Sequence, residues 1–369
     1  MKILHVSKKY PQALGGDAVV VSSLREQQQA AGHEVVIVTS NCDEIASAAN
    51  VYKFGLRDTP ARLDEITPKR IVSLAVLFFQ MFIILRKERP DVIHTHSVDM
   101  AFVISAAARC YGIPTVHTFH IVTFYDVGQA ALRRKTELWL AKRARLHIAT
   151  APNTYDVKKL QKAGLEQTVL LPNGIDLPFW QGRTRAKEGE SFTFLTVGRL
   201  EHQKGYDYLI KATALLTRTL PVSSRVIIVG QGSQEATLCE LIRKQHVEDV
   251  VTLVGRKSPE EVRVLFSQAN AAVFPSLYET TPVTVLEAWA ARLPVIVSSV
   301  GILRDVPVGF DAAYIVPPGD EEALAKAMGQ CRADTQTRKA IADRGYEEAT
   351  KYAWPQVAQT AEAIYRSVQ

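Results

Sequence analysis

Two glutamates separated by seven residues, in Glu279-Thr-Thr-Pro282-Val-Thr-Val-Leu-Glu287, are the pair of side chains best spaced for chemistry in this 369-residue chain. A short apolar run, Ala271-Ala-Val-Phe274, precedes them, followed by Pro275 and Ser276. Thr281 can cap a helix, and Pro282 suits its first turn, where a missing N–H costs nothing. Glu279 then lies in the loop at a strand's carboxyl end, and Glu287 about one and a half turns into the helix. Both can face the crevice in which open α/β sheets bind ligands, beside a helix N-terminus suited to phosphate. One carboxylate can hold sugar hydroxyls and the other a ribose, with a diphosphate between them. The plainer alternative is a Thr284-x-x-Glu287 capping box, with Glu279 a solvated loop acid.

Other residues could join such a site. Arg199 and Lys204 follow the apolar run Phe192–Val197, in a loop before a helix. A forked Arg and a mobile Lys can reach phosphate oxygens from there; otherwise they are surface cations at a strand end. Gly15-Gly16 stand between the first strand and a helix, where glycine lets the backbone approach a phosphate or an acceptor, or simply turns. Gly230-Gln-Gly232 lacks a third glycine, and no acid ends the next strand, so the dinucleotide fingerprint fails and a dehydrogenase is disfavoured. His94 and His96 share one strand face, a pattern that can serve a metal. No third ligand stands near them in the sequence, and no metal is expected. His117 is expected to pack rather than to bind.

The elements that must position these residues alternate strand and helix, which calls for parallel sheets covered on both faces. The first half offers strands at 3–7, 34–39, 51–54, 92–96, 114–118, 146–149 and 168–171. Helices fall near 18–31, 69–87, 100–111, 130–144 and 155–163, and Gly32 suits the end of the first. Residues 177–190 are polar and rich in breakers, so they read as a linker within a hinge near 172–190. Alternation restarts with strands at 192–197, 225–229, 250–254, 271–274 and 294–298. Helices are expected near 206–216, 234–245, 260–268 and 283–291. The tail after Thr337 is largely helical. The chain therefore reads as two doubly wound domains, 1–175 and 190–350, and a terminal helix, 351–369.

Composition fits an ordinary globular protein, with 47% hydrophobic and 22% charged residues. The first residues read as a strand rather than a secretion signal. Cys42, Cys110, Cys239 and Cys331 have no C-x-x-C spacing, which argues against structural zinc or a disulfide framework and fits a reducing cytoplasm. The net charge is +6, and residues 1–175 hold 22 of the 44 Lys and Arg but only 15 of the 38 Asp and Glu. Such an imbalance can mark an anionic partner or a merely solvated basic surface. No aromatic-interleaved basic repeat points to nucleic acid. The apolar run from Ile71 to Leu85 is shorter than the roughly 20 residues that span a bilayer. It reads as a helix buried against the sheet. Its flanks, Lys69, Arg70, Arg86, Lys87 and Arg89, keep open a helix lying at a membrane interface.

The Glu-x7-Glu segment, after Pro-Ser and before Pro294-Val-Ile-Val297, resembles the retaining glycosyltransferases of family 4, also called glycosyl transferases group 1. The resemblance continues through Lys2-Ile-Leu-His-Val, Gly32-His-Glu-Val-Val, Asp91-Val-Ile-His-Thr-His96, Thr118-Phe-His120, Pro172-Asn-Gly-Ile-Asp176, Val197-Gly-Arg-Leu200 with Lys204-Gly205, Val229-Gly230 with Gly232, and Val316-Pro-Pro-Gly-Asp320. It spans about residues 2–320, in the family's order. It implies the GT-B fold, two Rossmann-like domains facing a central cleft, with the last helix packed back on the N-terminal, acceptor-binding domain. It assigns the diphosphate to Arg199 and Lys204, the donor sugar to His120 and Glu279, and the ribose to Glu287. Gly16, Gly255, Arg256, Thr281, Pro282, Val283 and Thr284 are expected around the donor. Gly15, Gly16, His96 and Asn173 are expected on the acceptor side. The chain has no Asp-x-Asp, so side chains and N–H groups, not a metal, should meet the leaving phosphate's charge.

Two stretches depart from the family pattern. Thr280-Thr281-Pro282 stands where Gly-Phe-Gly is common, and Gly301-Ile-Leu-Arg-Asp305 where Gly-Gly-Ile-Pro-Glu is common. Pro282 removes one N–H, leaving those of Val283 and Thr284 for a phosphate. The expected activity is transfer, with retention, from a nucleotide sugar to a hydroxyl of a glycan, lipid-linked or small-molecule acceptor. A UDP-sugar is the favoured donor and GDP-mannose the second. No cofactor is expected, and the expected place is the cytoplasm, at or near the inner face of a membrane with an anionic surface as a candidate partner. A sugar-nucleotide epimerase or hydrolase, or a catalytically silent partner subunit, is the alternative.

Overall fold

The computed structural model of the chain describes residues 1–10, 16–41, 50–53, 68–120, 131–181, 191–219, 224–279, 282–303 and 311–369. Gly15, Cys42, Thr281 and the stretch Arg304-Asp305 lie outside them. The chain forms two compact units, one from Met1–Gly174 with Trp354–Gln369, the other from Ile175–Ala353.

The first unit runs β1 (Lys2–Lys9), α1 (Gly16–Ala30), β2 (Glu34–Asn41), β3 (Val51–Lys53), α2 (Pro68–Glu88), β4 (Val92–Thr95), α3 (Val98–Cys110), β5 (Thr115–Thr118), α4 (Ala131–Ala144), β6 (Ile148–Ala151), α5 (Thr154–Lys162) and β7 (Thr168–Leu170). Its parallel sheet has the order β3-β2-β1-β4-β5-β6-β7. Strands buried on both faces explain the near-continuous apolar runs, such as Ile3, Leu4 and Val6 or Val35 to Val38, all fully buried. The strand expected at 146–149 lies two residues later, because Ile148 pairs with Val116 of β5 and His147 donates its N–H to Thr115 before the ladder begins.

The second unit continues with α6 (Leu177–Trp180), β8 (Phe192–Val197), α7 (Tyr206–Thr219), β9 (Ser224–Val229), α8 (Glu235–Lys244), β10 (Val251–Leu253), α9 (Pro259–Gln268), β11 (Ala271–Phe274), α10 (Val283–Ala290), β12 (Val295–Ser298), β13 (Tyr314–Val316), α11 (Glu321–Ala333) and α12 (Thr335–Thr350). Its parallel sheet has the order β10-β9-β8-β11-β12-β13. Residues 177–180 are not linker but the short helix α6. Asp176 caps it by accepting the Phe179 N–H at 3.0 Å, and Trp180 is buried against Phe266. Apolar burial of Trp180 outweighs the breakers around it, and the second unit therefore begins before residue 190.

The last helix, α13 (Trp354–Arg366), belongs to the first unit and packs on α1. Trp354, Val357, Ala361 and Tyr365 join Ile3, Leu24, Val92 and Val116 in one apolar cluster. Trp354 also explains Gly174: a Cβ there would lie 2.2 Å from the indole. Helix α2 is buried on one side only. Leu77, Met81 and Leu85 are fully buried, whereas Val72, Phe79 and Ile83 are 51%, 69% and 71% exposed. Among the described residues no helix is long and apolar enough to cross a membrane.

Candidate functional site

In each sheet the strand order reverses once, and the loops after the two strands flanking that point are where a doubly wound sheet binds its ligand. In the second unit those strands are β8 and β11. Arg199 and Lys204 follow β8, and Glu279 follows β11, so residues far apart in sequence meet there. Residues 202–204 form one 3-10 turn, closed by Gly205 in the left-handed conformation (φ 65°). A Cβ on Gly205 would stand 2.1 Å from the Pro275 carbonyl oxygen, so only glycine lets the two loops approach so closely. The loops are then stitched together, with the Leu277 N–H donating to the Gln203 carbonyl at 2.8 Å.

This stitching brings Lys204 Nζ onto Glu279 Oε1 as an ion pair. The two side chains are 16% and 13% exposed, so the contact is largely shielded from solvent. Ser276 Oγ donates to the same oxygen at 3.1 Å. Arg199 is exposed, on the loop between β8 and the 3-10 turn. Glu201, two residues on, ties that loop to the β9 loop by accepting Ser233 Oγ at 2.7 Å. The arrangement is a shielded Lys–Glu pair, with an exposed arginine on the same loop as the lysine.

Helix α10 starts differently from the sequence expectation. Its N-cap is Pro282, in extended conformation, with no side-chain cap. Proline cannot donate but fits before the first turn, so Thr284-x-x-Glu287 is inside the helix and not a capping box. Val285, Leu286, Ala288, Trp289 and Ala290 are buried. Val283, Thr284 and Glu287 lie on the remaining face, with the N–H groups of Val283 and Thr284 in the open first turn. Burial pushes the Glu287 carboxyl up to about 7. Gly255 and exposed Arg256 follow β10, two strands from β8, and the Gly255 carbonyl accepts the Gly230 N–H at 2.9 Å.

In the first unit the order reverses between β1 and β4. Gly16 opens α1 after β1, and Asn173 precedes Gly174 after β7. His96 and His120 follow β4 and β5, with His96 Nδ1 3.1 Å from His120 Nε2. His96 Nε2 is 3.1 Å from His5 Nδ1, so both its ring nitrogens are engaged by other histidines. His117 is buried and packs edge-on against Phe119, with Nδ1 2.9 Å from the Thr95 hydroxyl.

The expectation that His94 and His96 lack a third histidine is corrected by β1, which pairs His5 with His94. Ring nitrogens of His5, His94 and His96 lie within 4.8 Å of one another. Each of these nitrogens also has a hydrogen-bond partner, and among the described residues no carboxylate joins the group. His5, Gln28, Ser276 and Tyr365 were not singled out from the sequence. His5 carried a signal as the polar residue among Ile3, Leu4 and Val6, and Ser276 as part of the Pro275-Ser276 step.

Two parallel doubly wound units, one with a cation and a carboxylate paired at its switch point, make up the GT-B fold. The chain belongs to the glycosyltransferases of this fold: the Glycosyltransferase Family 4 model matches residues 14–179, and the Glycosyl transferases group 1 model matches residues 181–348. It is 29% identical to glycogen synthase of Mycobacterium tuberculosis over 99% of this chain and 94% of that protein. It is 25% identical to the putative teichuronic acid biosynthesis glycosyltransferase TuaC of Bacillus subtilis, over 100% of this chain and 98% of that one. Sucrose-phosphate synthase from Thermosynechococcus elongatus shares the fold at a TM-score of 0.79 and 23% identity, over 100% and 98% of the two chains. Anabaena HepE in complex with UDP does so at 0.78 and 18%, over the whole of both. The chain is thus a group 1 glycosyltransferase, which takes its sugar from a nucleotide sugar.

Proposed function

We propose that the enzyme transfers its sugar with retention and without a metal, from a UDP-sugar by first preference and GDP-mannose by second. The observation that carries this reading is the shielded Lys204–Glu279 pair at the β8/β11 switch point, with exposed Arg199 on the Lys204 loop. Arg199 and Lys204 supply the positive charge that a departing diphosphate needs. Glu279 accepts from sugar hydroxyls, Glu287 from the ribose, and His120 meets the donor sugar. The anomeric carbon breaks its bond to the phosphate oxygen, and the acceptor oxygen bonds to the same face. The leaving phosphate takes the acceptor's proton. The UDP bound in HepE supports a UDP-sugar, and the name glycogen synthase supports a glycan hydroxyl as acceptor.

The experiment is to supply UDP-glucose or GDP-mannose with a maltooligosaccharide, in EDTA, and read the product's anomeric configuration by NMR. Retention in EDTA is expected. An inverted product overturns the retaining assignment, and strict dependence on added magnesium overturns metal independence. Donor consumed equally fast without any acceptor identifies a hydrolase or epimerase instead.

We also infer an anionic membrane surface as partner. Val72, Val76, Phe79 and Ile83 recur at helical spacing along one exposed side of α2, and Arg86 and Lys87 end the same helix. On α4, half-exposed Trp139 carries the Arg143 guanidinium over its ring. Apolar side chains rimmed by cations suit an interface of anionic head groups.

A further inference from the structure

Glu279 receives both Lys204 and Ser276 on one oxygen. Lys204 Nζ and, at 3.1 Å, Ser276 Oγ donate to Oε1, and neither of them uses Oε2. The two donors differ in how firmly they are held. Ser276 is buried and sits between Pro275, whose ring fixes its φ, and Leu277, whose N–H is bound to the Gln203 carbonyl. The close approach of Gly205 to the Pro275 carbonyl pins the same segment. The Ser276 hydroxyl therefore hangs from a fixed backbone by one rotatable bond.

Lys204 is the opposite case. Its ammonium rides on a flexible four-carbon stem and can redirect three donors. The stem passes beside Gly198, where a Cβ would stand 3.5 Å from Lys204 Cε and 2.7 Å from the hydroxyl of buried Tyr206. Gly198 directly precedes Arg199. Torsions of the stem alone can thus turn Nζ from Glu279 toward the Arg199 loop, with the backbone unmoved.

We propose that Ser276 is the positioning residue for Glu279: its hydroxyl keeps hold of Oε1 when a nucleoside diphosphate draws Lys204 away, so that the carboxylate keeps its place and offers Oε2 to the donor sugar. The proposal rests on the reading that Lys204 meets the diphosphate and Glu279 the sugar. In the empty site Glu279 occupies the lysine as a phosphate would. A diphosphate has more negative charge and more acceptor oxygens than one carboxylate, so it takes the ammonium from Glu279. Of the two donors on Oε1 only Ser276 then remains. This exchange also separates donor from spent nucleotide. A bare nucleoside diphosphate breaks the ion pair and returns nothing to Glu279. A nucleotide sugar breaks the same pair and returns hydroxyl donors to the carboxylate. The ion pair therefore weakens the spent nucleotide relative to the donor, which favours product release.

The test is isothermal titration calorimetry of the full chain in EDTA with two matched pairs, UDP against UDP-glucose and GDP against GDP-mannose. Wild type, Glu279→Gln and Ser276→Ala are compared. Glu279→Gln removes the competing charge and nearly keeps the shape. It should tighten the nucleoside diphosphate about fivefold, the worth of a partly shielded ion pair, and should not tighten the nucleotide sugar. Ser276→Ala should leave the nucleoside diphosphate within about twofold and weaken the nucleotide sugar about tenfold. A merely structural role would move both ligands together. Unchanged or weaker nucleoside diphosphate binding in Glu279→Gln overturns the exchange. Equal loss of both ligands in Ser276→Ala, or loss of neither, overturns the positioning role. Either contrary result in a protein whose wild type binds nucleotide sinks this proposal alone, whereas a wild type that binds none of these ligands sinks the transferase reading with it.

Discussion

The two units share a parallel, doubly wound architecture but meet charge in opposite ways. The second unit keeps a cation and a carboxylate together at its switch point, Lys204 on Glu279, with Arg199 exposed on the same loop as the lysine. The first unit fills the matching region with histidines linked by hydrogen bonds and ring contacts, and burial keeps His5, His94 and His96 neutral. On the proposed reading, the second unit's fixed positive charge would meet the diphosphate, and the first unit's neutral histidines would offer hydrogen bonds without attracting phosphate. The difference lies in the loops after β8 and β11 in the second unit, and partly within the central strands β1 and β4 themselves in the first, which carry His5 and His94.

Acid should break this comparison most visibly. His5, His94 and His96 have folded-state pKa values depressed by burial. Below their unfolded value of about 6.5 the unfolded chain binds protons that the native one refuses. Their stabilisation is therefore present above that pH and lost as pH falls toward about 4, the value for His5. His5 alone accounts for something on the order of 3 kcal/mol. Glu287 has the opposite sign: raised from 4.5 to about 7, it favours the native state at low pH and loses that advantage as pH climbs through 7. Hydrogen exchange at pH 5 and pH 7 should show β1 and β4 losing protection on acidification relative to β8 and β11. Glu287→Gln should remove the second unit's fall in stability between pH 5 and 8. Equal acid response in both units would erase the contrast.

Removing charge from the nucleotide side comes next. Arg199→Ala and Lys204→Ala should each slow transfer by roughly a hundredfold or more, with the fold intact by circular dichroism. Full activity in either would leave the cation site without a role. A smaller effect concerns the seam where the chain leaves the first unit. Gly174→Ala drives a Cβ into Trp354 and should cost about 1–3 kcal/mol, read as a lower urea midpoint. Smallest is the surface of α2. Phe79→Ser with Ile83→Ser should cut sedimentation with phosphatidylglycerol vesicles several-fold and leave binding to neutral vesicles weak throughout. Binding indifferent to lipid charge would contradict the membrane inference.

Much of the scaffold was legible because buried parallel strands write continuous apolar runs and helices write periodic ones. The region around Glu279 and Glu287 was legible because strand, loop and helix follow one another within a few residues. What escaped depends on register and long-range contact. His5 joins His94 only because β1 lies beside β4, 89 residues apart along the chain. The Lys204–Glu279 pair spans 75 residues. Tyr365 reaches His94 across 271 residues, through a helix that returns to the first unit. Local pattern also misled where packing prevailed. Breaker-rich 177–180 is helical because Trp180 finds a buried slot.

The most direct test is a thermal-shift panel of UDP, GDP, ADP and TDP in EDTA, run on wild type and on Arg199→Ala and Lys204→Ala. At about 100 times its Kd, a nucleotide that binds only the native state should add roughly 2.7 kcal/mol of stability. A selective UDP response in wild type, absent or much reduced in both variants, is the predicted result. A response that needs magnesium, or that survives both substitutions, would contradict the account.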